Sequence, residues 1–134
     1  MFDQIIEWLE DASHGEKHGY SARDVQTAVA ALYYHMISVD GVVRLKELER
    51  FTNVLQEQFE LDDEQVHSLM RRGAKKDSES PGLFPFTTIL NREFSEEKRR
   101  EVVEKLGELA ESDGHRHPLE LELLSHIRQL LKLE

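Results

Sequence analysis

The chain has no cysteine. That excludes disulfides, thiolate zinc sites and a cysteine nucleophile. Positive charge is scarce as well: 17 lysines and arginines face 27 aspartates and glutamates, a formal net charge of −10. So acidic a chain is a poor binder of nucleic acid or anionic membrane, and it favours cationic partners, metal ions included. No apolar run reaches transmembrane length, so no membrane insertion is expected. The opening residues, Met1 to Trp8, are acidic and lack the basic flank of a signal peptide, so a cytoplasmic location is expected. Period-two alternation with β-branched enrichment is missing too, and no strand is expected.

What the chain does have is helical periodicity. Its 134 residues, 39% hydrophobic and 33% charged, suit one folded helical domain over 1–134 rather than a disordered chain. A short amphipathic helix is expected over 2–12, carrying Ile5, Ile6, Trp8 and Leu9. Ser21 with Asp24 forms a capping-box start, after which Val25, Val29, Leu32 and Met36 recur at helical spacing. Gly41 ends that helix in the left-handed conformation. A third helix begins near Leu45, with Leu48, Phe51, Leu55 and Phe59 on one face. Asp62 caps a fourth, bearing Val66, Leu69 and Met70.

The stretch Asp77 to Gly82 is the most loop-like in the chain and divides it into halves, about 21–77 and 84–133. Beside it, Leu83, Phe84 and Phe86 are expected to tuck into the core. Pro85 opens a short fifth helix to Glu93, and Ser95 caps a sixth with Val102, Leu106 and Leu109. Pro118 opens a seventh with Leu123, Leu124, Ile127 and Leu131. The basic runs Arg71-Arg72, Lys75-Lys76 and Lys98-Arg99-Arg100 read as solvated helix faces. The fold class expected is all-α, about seven helices in a bundle of two pseudo-symmetric halves.

One short pattern is written twice. Asp40-Gly41 is followed by Glu47, and Asp113-Gly114 by Glu120, with the glutamate seven residues after the aspartate in both. Helical phase makes this more than spacing. Asp40 continues the stripe Val29, Leu32, Met36, and Asp113 continues Val102, Leu106, Leu109. Glu47 lies one turn before Phe51, and Glu120 one turn before Leu124. All four carboxylates are thus expected at core-facing helix ends. Both aspartates also stand at helix C-termini, against the macrodipole. A buried carboxylate without a partner costs several kcal/mol or takes up a proton, and a cation held between the corners would resolve this. Oxygen-only ligation suits magnesium or calcium, with manganese a further candidate.

A structural account stands beside this one. Asp-Gly commonly ends helices, glutamate commonly caps them, and the aspartates can pair with Arg44, Lys46 or Arg116. The corners are not EF-hands, because Val42 and Arg44 occupy ligand positions and Gly41 is at the second position rather than the sixth. His115 and His117 could recruit a transition metal, but capping and solvation explain them more simply. His35 reads as a packed core histidine, and His14, His18, His67 and His126 form no metal motif.

Asp40, Gly41, Glu47, Asp113, Gly114 and Glu120, within a helical pattern covering roughly residues 25–133, resemble the TerB-like tellurite-resistance family. The resemblance implies an all-α bundle of two related halves with an acidic divalent-metal site. It also implies a cytoplasmic bacterial protein that works with other proteins of a tellurite or general stress response, and no catalytic reaction. The function expected is therefore a non-catalytic binding module with metal ligands Asp40, Glu47, Asp113 and Glu120 and no organic cofactor. The alternatives are a metal-dependent phosphoester hydrolase and a metal-free protein-interaction domain. The hydrolase lacks a legible nucleophile–base pair and a glycine-rich phosphate loop.

Overall fold

Ser21 starts the first described helix. Its Oγ accepts the Asp24 N–H at 3.2 Å, and Asp24 Oδ2 accepts the Ser21 N–H at 3.2 Å, a complete capping box. The computed structural model describes residues 20–111 and 118–133. Among them are six helices and no strand: α1 (Ala22–Ser38), α2 (Leu45–Phe59), α3 (Asp63–Glu79), α4 (Phe84–Glu93), α5 (Glu96–Ala110) and α6 (Pro118–Leu130). The chain is all-α, as expected. The helix expected over 2–12 lies outside the described residues.

The fold is built around α1. Beyond the expected stripe, Ala28, Ala30, Ala31, Tyr33 and Ile37 are also buried, so α1 is covered on nearly every side. A helix apolar around most of its circumference belongs in the middle of a bundle. Its alanines let neighbours come close, and α3 packs against it most extensively, followed by α4 and α5. Arg72 reaches Thr27, Gly73 abuts Ala30, and Asp77 meets His35. The order of these contacts makes α1 and α3 parallel. At the middle contact, a Cβ on Gly73 would lie 2.6 Å from Ala30 Cβ, so only glycine permits the approach.

Three expected placements are corrected. Leu48 is exposed, while Phe51 and Leu55 of the expected stripe face inward together with Glu47 and Val54. The buried stripe runs i, i+4, i+7, i+8 from Glu47. Phe84 is 69% exposed, while Leu83 and Phe86 are buried on either side of it. The helix begins at Phe84 itself, with Pro85 in its first turn. Arg99 is not a solvated charge. Its Nη1 donates to the Leu131 carbonyl at 2.7 Å and to Asn91 Oδ1 at 3.3 Å, which ties α5 to the end of α6.

Tyr33 is fully buried and donates its hydroxyl to Gln58 Oε1 at 2.6 Å, linking α1 to α2. Burial pushes the phenol far above its usual range, so it acts only as a neutral donor. Tyr33→Phe leaves the amide oxygen without that donor. It should lower unfolding free energy by about 1 kcal/mol, read as a fall in urea midpoint at constant slope.

Candidate functional site

The first corner is held by short-range polar contacts. α1 ends at Ser38, and Gly41 closes the turn at φ +85, donating its N–H to the Ser38 carbonyl at 2.9 Å. Nothing lies within 4 Å of where a Gly41 Cβ would be, so its backbone conformation, not space, selects glycine. Asp40 Oδ1 accepts the Val42 N–H at 3.1 Å, the side-chain-to-backbone turn that aspartate makes readily. Its other oxygen accepts from Arg44 Nη1 at 2.9 Å. Asp40 is thus half-buried, past the C-terminus of α1, where the helix dipole opposes its charge and Arg44 offsets it.

Glu47 is the third residue of α2, and its side chain is 1% exposed. Its Oε1 accepts the Arg44 N–H at 3.0 Å and lies 3.6 Å from Arg44 Nη1. Arginine has no side-chain acceptor, so only the glutamate half of a capping box forms. Glu120 is likewise the third residue of its helix, α6, and likewise 1% exposed. The two glutamates therefore share one helical position and one degree of burial. Asp113, Gly114, His115, Arg116 and His117 lie outside the described residues, as do His14 and His18.

A cleft of about 510 Å³ places the first corner beside the start of α6. Val39 lines it together with Leu119, Glu122, Leu123 and His126. Around the corners the chain also leaves apolar groups in water: Val42, Val43, Leu45 and Leu48 after the first, Leu119 and Leu121 after the second. Sequence reasoning missed these. The signal was the Val42-Val43 pair beside a turn glycine, where no helical stripe accounts for it.

His35 is corrected. It is not packed in the core; its side chain is 35% exposed, and Nδ1 lies 2.8 Å from Asp77 Oδ1 near the C-terminal ends of α1 and α3.

Among the described corner residues the side chains that could hold a cation, Asp40, Glu47 and Glu120, offer oxygen alone, which fits a hard divalent ion. Two of the carboxylates are buried, and Asp40 is 16% exposed at its side chain. Arg44 is the competing cation, its side chain 34% exposed. Among the described residues, no three histidine, aspartate or glutamate side chains gather as a metal-holding group. Also among them, no helix is long and apolar enough to cross a membrane.

Comparison with curated proteins and with solved structures finds no significant match. A family model does match, that of "Tellurite resistance protein TerB", over residues 26–134. The match spans α1 from its second turn through α6, both corners included. The chain belongs to the TerB tellurite-resistance family.

Proposed function

We propose that this TerB-family chain is a non-catalytic binding module that takes a hard divalent cation at its corners. Asp40, Glu47, Asp113 and Glu120 would supply the oxygens, and the module would dock other proteins of a tellurite or general stress response. The observation that carries this is the matched pair of glutamates, each third in its helix and each 1% exposed. Acidic side chains are seldom fully buried without a compensating charge. Glu47 and Glu120 stand at helix N-termini, where an anionic ligand set is held most cheaply. An ion there would add to the positive charge that Arg44 already brings to Glu47.

The test is thermal unfolding with magnesium, calcium or manganese added to metal-free protein. A site that binds only the folded state adds about 2.7 kcal/mol at a hundredfold excess over Kd. The melting temperature should rise with one of the three ions. Asp40→Asn with Asp113→Asn should remove the rise. Asparagine keeps the acceptor for the Val42 N–H, so the turn survives and only the charge is lost. Equal melting temperatures with and without every ion would defeat the metal reading.

A metal-free docking domain is the second reading, and one observation favours it. Arg44 already stands between Asp40 and Glu47, at 2.9 and 3.6 Å. The exposed valines and leucines beside the corners serve docking under either reading.

A further inference from the structure

The second polar feature of the molecule lies at the other end of the parallel pair α1 and α3, away from the Ser38–Asp40 corner. There Arg72, on α3, is held in place by two hydroxyls. Its Nε donates to Thr27 Oγ1 at 3.3 Å and its Nη1 to Ser68 Oγ at 3.3 Å. Thr27 is itself buried, 2% exposed, and donates to the Arg23 carbonyl at 2.8 Å. One buried hydroxyl therefore fixes one arginine and is anchored beside another. Arg72 lines a cleft of about 330 Å³ with Gln26, Leu61, Gln65, Ser68 and Glu64. Amide, hydroxyl and guanidinium donors converge on it from two helices.

We propose that this cleft binds a phosphate dianion, with Arg72 as the forked donor, Arg23 as the second charge and Gln26, Gln65 and Ser68 as polar lining. The argument is one of charge and preorganisation. In a chain of net charge −10, two neighbouring arginines would be expected to collect carboxylates. Among the described residues neither forms an ion pair; Arg72 spends two of its donors on neutral hydroxyls. Arg72 is made less basic by its partial burial first and by the charge of Arg23 second, and an anion in the cleft would offset both. A guanidinium already locked in one rotamer loses little entropy on binding and presents the planar fork that phosphate oxygens match. Glu64, at the rim, opposes the anion. Together with the overall negative field it holds the expected affinity to the order of millimolar. This site is independent of the corners and of any divalent ion.

The experiment is an NMR titration of metal-free, nitrogen-labelled protein at neutral pH. Inorganic phosphate and glycerol phosphate are added in parallel, each against chloride at equal ionic strength. Saturable shifts of the Arg72 Nε–Hε signal and of the Gln65 and Ser68 amides are expected, and the tighter ligand shows whether the cleft takes the free ion or an ester. Arg72→Gln should abolish saturation. Arg23→Gln should weaken binding roughly threefold, the loss of one nearby positive charge rather than of a direct contact. Glu64→Gln should tighten it roughly threefold, by removing a nearby like charge. Arg23 and Glu64 are exposed, so these two variants carry the test even if Arg72→Gln unfolds. Shifts that never saturate, shifts that survive Arg72→Gln in folded protein, or a Glu64→Gln variant that binds more weakly would overturn the proposal.

Discussion

Gly73→Val should destabilise the protein by about 3 kcal/mol, the largest loss expected of a single substitution in the α1–α3 contact. A Cβ at position 73 would stand 2.6 Å from Ala30 Cβ, 2.8 Å from its carbonyl carbon and 3.0 Å from its carbonyl oxygen. Two of those three atoms are backbone, so no rotamer change clears the space. The helices must move apart, and α1 cannot retreat because other helices cover its remaining sides. Valine is a slightly better helix former than glycine, but that gain is only about 0.4 kcal/mol. Sterics wins. Gly73→Ala should fall between, since alanine's larger helix gain of about 1 kcal/mol offsets part of the overlap. Ala30→Gly should rescue Gly73→Ala only in part, because it removes the Cβ and leaves the carbonyl. Urea unfolding of the four proteins measures the coupling. Full rescue, or a stable Gly73→Val protein, would mean that the helices are not pressed together at this point.

The second large effect separates the two readings of the corners. Glu47→Gln combined with Glu120→Gln removes two charges while keeping shape and hydrogen-bonding capacity. If the carboxylates hold a cation, the double variant loses the metal-induced rise in melting temperature. Its metal-free stability then stays within about 1 kcal/mol of the unsubstituted protein, since two costly buried charges have gone. If the carboxylates instead complete internal ion pairs, as Arg44 beside Glu47 suggests, the same variant loses about 3–5 kcal/mol with no metal present. The sign and the metal dependence of one measurement therefore decide between ion site and internal pairing. Calorimetric unfolding with and without a divalent ion provides both numbers.

Much of the scaffold was legible before any coordinates. Capping residues are short-range chemistry, so Ser21, Asp62 and Ser95 could be assigned to helix starts directly, and each accepts the backbone N–H three residues on. Apolar spacing gave the inward faces of α5 and α6 for the same reason: a helix needs only one stripe to dock. Apolar spacing misleads where a helix uses more than one face. In α2, spacing put both Glu47 and Leu48 on the side of Phe51 and Leu55, and only packing decided that Glu47 is buried and Leu48 exposed. In α1, period counting found four inward residues of a helix that is buried almost all round.

At the corners, sequence determined which residue types stand together. Asp-Gly makes the turn because aspartate accepts the Val42 N–H and glycine takes φ +85; glutamate falls third in each following helix by spacing alone. Both are local consequences of chain chemistry. Only the tertiary structure decided that Glu47 and Glu120 are 1% exposed, that Arg44 stands between Asp40 and Glu47, and that His35 serves Asp77 instead of the core. The same holds for the cleft at Arg72, whose polar lining comes from α1 and α3, which α2 separates along the chain. Burial and charge pairing depend on which helix faces which, and here that is set by the close parallel contact of Ala30 with Gly73. No local pattern encodes that contact, because a lone glycine in a helix looks the same whether it meets water or another backbone.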